Sequence, residues 1–142
     1  MGKEWIEIRG IGQLYLERIL VTFDFPVLFV CTDFENRKFL CLNIDNETGK
    51  SVIAETSNRQ LIDMLNNVVP MESVFRNSID KKIIIAEYNS DDDEIISYTE
   101  DANITSKDSL PKKNEYFNLD NMTIREYISF LNRQIIPIDI EK

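Results

Sequence analysis

Polar and apolar positions in the first third of the chain alternate with a period of two, which sets successive side chains on opposite faces of a β-strand. Glu4–Ile8 (EWIEI) alternates, Gly10-Ile11-Gly12 interrupts, and Gln13–Phe23 (QLYLERILVTF) alternates again over a longer span. Pro26–Cys31 (PVLFVC) is almost continuously apolar, the pattern of a central strand covered on both faces. After a DFENR turn, Lys38–Ile44 sets Leu40, Leu42 and Ile44 on one face and Phe39 and Cys41 on the other. A DNETGK turn leads to Ser51–Thr56. Connections this short predict an antiparallel meander.

The period then changes to that of a helix. Ser57 and Gln60 form a capping box, and Leu61, Met64, Leu65 and Val68 make one apolar stripe that Pro70 limits. Met71–Phe75 adds a short second turn. Lys81–Tyr88 and Glu94–Glu100 predict a hairpin around the acidic turn NSDDD. Residues 101–117 are polar and aperiodic, which predicts a surface loop and the most mobile part of the molecule. Thr123 and Glu126 form a second capping box, Met122 and Tyr127 occupy staple positions, and Ile124, Tyr127, Ile128 and Leu131 supply the buried stripe. IIPIDIEK suggests a final edge strand, where Pro137 is tolerated. The expectation is a single α+β domain over residues 1–142, a mainly antiparallel sheet of five to seven strands packed against two or three helices.

Gly49-Lys50-Ser51 ends like the phosphate-binding loop G-x-x-x-x-G-K-[ST], whose first glycine would stand at Ile44. Without it the backbone does not readily wrap a phosphate, and the β-branched VIAET that follows predicts a strand where a helix is needed. A hairpin turn is the expectation.

Lys plus Arg total 16 against 25 Asp plus Glu, a net charge of -9. That balance repels nucleic-acid phosphates and anionic membranes. It serves solubility, or alternatively mimicry of nucleic acid toward a basic partner. No apolar run approaches the roughly 18 residues of a membrane span. The start MGKEWIEIRG carries neither a signal-peptide h-region nor the Ser or Thr that myristoylation of Gly2 requires. The sequons at Asn46, Asn103 and Asn121 are read as coincidence in an Asn-rich chain, and a cytoplasmic location is expected. Abundant Ile and Asn fit A/T-rich coding DNA and a bacterial or phage source.

The chain has no histidine, which excludes His-based triads, His-bound zinc and an imidazole switch. Cys31 and Cys41 are expected nearly opposite each other on neighbouring strands, as buried small hydrophobes or alternatively as a redox pair. Asp91, Asp92, Asp93 and Glu94 are weak candidates for a hard cation, since they lack the ligand spacing of a calcium loop. The carboxylates of Asp33–Glu47 nominate no catalytic pair. Phe25 and Phe34, in predicted turns, are the aromatics best placed for an exposed contact surface.

Phe23–Cys31 (FDFPVLFVC) resembles a family of bacterial domains of unknown function that begins with an aromatic-Asp-x-Pro-x-Leu-Phe-x-Cys segment. FENRKFLCLNIDNE and TSNRQLIDMLNNVVPMESVF are similar to that family's following turn, strand and helix, so the likeness spans Leu14 to Phe75. Phe23 replaces its common Tyr, and Asn36-Arg37 its common Gly. The resemblance implies a small bacterial cytoplasmic domain and brings no catalytic residues. The segment also has a plain scaffold reading: Pro26 holds Phe25 extended and Asp24 suits the tight turn.

What these patterns leave is a non-enzymatic interaction module that binds a protein partner or forms a homodimer, accessory or defence-related in role, with no cofactor. One alternative is a small-molecule or nucleotide-binding domain with Lys50, Lys81 and Lys82 at a phosphate. The other is a metal-dependent hydrolase built on the carboxylates of Asp91–Glu94.

Overall fold

The computed structural model describes residues 3–45, 47–89, 91 and 94–135, without the side chains of Phe25 and Asn89. Among the described residues seven strands form one sheet: β1 (Lys3–Ile8), β2 (Gly12–Phe23), β3 (Phe25–Thr32), β4 (Lys38–Asp45), β5 (Lys50–Thr56), β6 (Lys82–Asn89) and β7 (Glu94–Asp101). Their order in the sheet is their order in the chain, and every neighbouring pair is antiparallel. The meander and the α+β class follow the alternation of the sequence. The expected final strand at IIPIDIEK falls almost wholly outside the described residues.

The sheet is curled. Its two edge strands, β1 and β7, approach within 8 Å between Cα atoms. Irregular pairing helps to bend it: the register shifts between Glu4 and Ile6, between Leu16 and Arg18, between Ile19 and Val21, and between Asn43 and Asp45. Such bulges leave an extra residue, increase the local twist and re-aim its side chain. Trp5 and Glu17 are two of the residues so displaced.

Each face of the sheet has its own core. On the concave face, Ile6 and Ile8 of β1 share a cluster with Phe29, Cys31, Phe39, Cys41, Ile53 and Ile84. One cluster that takes in both β1 and β6 fits a curled sheet whose edges approach each other. The other cluster joins Leu28, Val30, Leu40, Val52, Ile83 and Ile85 with side chains of three helices, α1 (Asn58–Leu65), α2 (Met71–Arg76) and α3 (Met122–Ile135).

The helix ends depart from expectation in two places. Ser57 caps α1 as predicted, its Oγ accepting from Gln60 N at 3.2 Å. The helix stops at Leu65, however, because Asn67 takes φ +61° and closes a Schellman motif, with Asn67 N donating to Met64 O (3.0 Å) and Val68 N to Asp63 O (2.8 Å). Val68 therefore leaves the apolar stripe and is 64% exposed. In α3 the cap is Asn121, whose Oδ1 accepts from Ile124 N at 3.0 Å, so Thr123 lies inside the helix. Met122 is 72% exposed and makes no staple. The buried stripe of Ile124, Tyr127 and Leu131 is as expected.

Residues 101–117 form more than a surface loop. Ala102, Leu110 and Phe117 enter the core, a single 3-10 turn spans Lys107–Ser109, and Arg76 donates to the carbonyls of Ala102 (2.7 Å) and Thr105 (2.8 Å). The backbone of Met71 is also bonded to Glu115 O at 3.0 Å. The segment is polar by composition but tied down across α2.

Candidate functional site

The hairpins behave as turns. Asp45 Oδ1 accepts from Glu47 N (3.0 Å) and Thr48 N (3.4 Å), and Gly49 takes φ +67° before β5 begins. Gly49-Lys50-Ser51 thus closes a β-hairpin and precedes no helix. Asp24 makes the β2–β3 turn at φ +60°. Buried Asp33 organises the β3–β4 turn by accepting from Glu35 N (3.0 Å), Arg37 N (2.9 Å) and Arg37 Nε (2.6 Å).

The residues singled out from sequence do not converge. Ser51 pairs with Ala86 and Lys82 with Asp101, so Lys50 and Lys82 stand toward opposite ends of the β5–β6 ladder. Lys81, beside Lys82, is exposed at φ +60°. Phe34 is 73% exposed and meets Tyr15 edge-on at 5.6 Å. The backbone of Phe25 opens β3 opposite Phe23, and its side chain is outside the description. Asp91 and Glu94 flank Asp92 and Asp93, which also lie outside it; no group of three His, Cys, Asp or Glu able to hold a metal occurs among the described residues.

Cys31 pairs with Phe39 and Cys41 with Phe29, so the thiols are diagonal neighbours and not directly opposite. Both are free and buried on the concave face. Burial, then the neighbouring Cys31, pushes the Cys41 thiol well above its usual range. That suppresses the thiolate on which reactivity depends.

Two constellations were not legible in the sequence. The first lies between β2, β4 and α3. The bulge at Glu17 turns its carboxylate toward α3, where it accepts from Lys38 Nζ at 2.5 Å and from Tyr127 Oη at 2.6 Å. Arg18 stacks over the Tyr127 ring at 5.3 Å and Lys38 over Phe130 at 5.5 Å. Burial, followed by the charge of and hydrogen bond to Glu17, pushes the Tyr127 phenol far above its ordinary range. The group is a neutral donor that pins the helix to the strand.

The second is a cavity of about 400 Å³ on the concave face, to which all seven strands or their turns contribute. Trp5, displaced by the β1 bulge, packs edge-on against Phe29 at 4.8 Å. Leu16, Pro26, Tyr88 and Ile95 supply further apolar wall, and Asn43 and Ser51 the polar groups, with Lys3 and Glu4 also lining it. Asn43 Oδ1 is buried and has no hydrogen-bond partner among the described residues. Beyond this cavity, β1 and β7 face each other across a cleft lined by Glu7, Arg9 and Glu94–Ser97.

No family model, curated protein or solved structure matches the chain, so the likeness noted at Phe23–Cys31 assigns it to no family. No helix among the described residues is long and apolar enough to cross a membrane.

Proposed function

We propose that the chain is a non-enzymatic interaction module whose acidic strand β7, at the edge of the sheet among the described residues, engages a basic extended segment of a partner protein. The observation that carries this reading is the pair Ile96 and Tyr98, 49% and 51% exposed on a strand at the sheet edge. Exposed apolar edge strands invite pairing, and soluble proteins ordinarily blunt them. Glu94, Glu100 and Asp101 surround the pair on the same strand, and Glu87 sits opposite Ile96.

These charges select the occupant. Antiparallel self-pairing centred on Ser97 would set Glu94 against Glu100 of the second copy, and like charges directly opposite are destabilising. A segment alternating apolar and basic residues would satisfy strand, apolar face and charge together. Because β1 faces the Glu94–Ser97 half of β7 across the cleft, Tyr98–Asp101 is the more open half.

The test is titration of a synthetic peptide alternating Lys and Val, with light scattering to report the mass of the free protein. The expected result is a monomer that binds the peptide and releases it as salt rises, with binding lost in Glu100→Lys/Asp101→Lys. Equal binding by that variant, no binding by the natural chain, or a dimer dispersed by Tyr98→Lys each overturns the proposal.

A further inference from the structure

Consecutive residues of a regular strand face opposite ways, yet Glu17 and Arg18 both turn to α3. The bulge between Leu16 and Arg18 permits this: Glu17 reaches the Tyr127 hydroxyl, and Arg18 lies over the Tyr127 ring at 5.3 Å. A guanidinium held over an aromatic face keeps its N–H donors free for an anion. Arg18 Nε is buried without a hydrogen-bond partner and is out of reach of any ligand. The two Nη nitrogens also make no hydrogen bond among the described residues, but they are not buried. Arg18 lines an open groove of about 640 Å³ between β2 and α3.

What Arg18 lacks is a counter-ion. The chain carries 25 acidic residues, yet among the described residues none forms an ion pair with Arg18 or with Arg133, which is exposed on the same groove. A half-buried charge left in this way is costly. The nearby acids are committed elsewhere: Glu17 to Lys38 and Tyr127, and Asp120 to Arg125 through bonds of 2.7 and 3.0 Å. Glu126 also lines the groove and bridges neither free arginine. Arg125, Ser129 and Arg133 recur every four residues, one exposed face of α3 about 12 Å long. Met122, 72% exposed, and half-buried Phe130 add apolar surface. We infer that this groove docks a short acidic segment of a partner protein. One carboxylate takes the Nη donors of Arg18 as a two-pronged pair, a second meets Arg133, and apolar side chains between them cover Phe130 and Met122. A long polyanion such as a nucleic acid is disfavoured, because a net charge of -9 repels it along the rest of its length. A short segment presents its charge only at the groove. No residue of β7 lines it, so this surface stands apart from the one proposed above.

The test is fluorescence anisotropy of a short labelled peptide alternating Glu and Leu, titrated with the intact protein beside the same peptide carrying Gln for Glu. The Glu peptide is expected to bind about tenfold more tightly than the Gln peptide, the factor a hydrogen bond to a charged group supplies, and to weaken as salt rises. A labelled oligothymidylate is expected to bind more weakly than the Glu peptide. Arg18→Met should lower the affinity about tenfold, and Arg133→Gln, at an exposed position, about threefold. Equal binding of the two peptides, binding of neither, tighter binding of the oligonucleotide, or an affinity unchanged in Arg18→Met or in Arg133→Gln overturns the inference. The peptide and oligonucleotide comparisons need no variant, so they decide the matter even if Arg18→Met fails to fold.

Discussion

Replacing Glu17 by Met removes a carboxylate that serves two partners at once, Lys38 Nζ at 2.5 Å and Tyr127 Oη at 2.6 Å. The Lys38 side chain is 4% exposed and that of Glu17 is 15% exposed, so water cannot readily replace what is lost. Breaking one side of a buried ion pair costs about 3–5 kcal/mol, mostly for the stranded charge. Stranding the Tyr127 hydroxyl belongs to the same class of loss, about 1–3 kcal/mol, and partly overlaps it. A total near 4 kcal/mol is expected for Glu17→Met, a large share of the roughly 5–15 kcal/mol that holds a domain together. Lys38→Met should cost about 3 kcal/mol, because Glu17 keeps its bond to Tyr127. The double replacement Glu17→Met/Lys38→Met removes both charges and leaves only the hydroxyl unpaired, so about 1–2 kcal/mol is expected, less than either single change. Urea denaturation gives these numbers from the shift in midpoint, provided the slope is unchanged. Additive single costs in the double variant, or a Glu17→Met loss below about 0.5 kcal/mol, would refute the reasoning, since neither is compatible with a buried, coupled pair.

Two further outcomes follow from named groups. Because Tyr127 titrates far above the 10.0 of a free phenol, the unfolded chain loses that proton first as pH rises. Its contribution is complete below about pH 10 and declines above it by about 1.4 kcal/mol per pH unit; the decline should be shallower by that amount in Tyr127→Phe when stability is measured against pH. Asn121→Ala should destabilise by about 1 kcal/mol whereas Thr123→Ala stays within about 0.5 kcal/mol; thermal melts showing the reverse order would return the cap to Thr123.

The strands were legible because alternation is a local signal and most connections are tight turns with Asp, Asn or Gly at their corners. The bulges were not. The alternation of Gln13–Phe23 predicts one regular strand, yet the pairing slips at Glu17 and again beyond Ile19. An extra residue is defined by its partner strand, and nothing in its own neighbours announces it. For the same reason the sequence could not place Trp5, Asn43 and Tyr88 around one cavity: they come from β1, β4 and β6. The helix ends failed differently. Asn67 and Thr123 each sit in a run with competing signals, and the left-handed turn at Asn67 and the cap at Asn121 prevailed. In residues 101–117, Ala102, Leu110 and Phe117 follow no period because their burial is set by the elements they cross.

Strands β3 to β6 send consecutive side chains into different interiors: Phe29 and Val30, Phe39 and Leu40, Ile53 and Ala54, Ile84 and Ile85 each divide between the two clusters. A slip of one residue in any of them would exchange both sets at once. Neither interior can loosen while the other keeps its order, because the same backbones wall both. The molecule is thereby bound to melt as one cooperative unit, with the sheet as the shared partition.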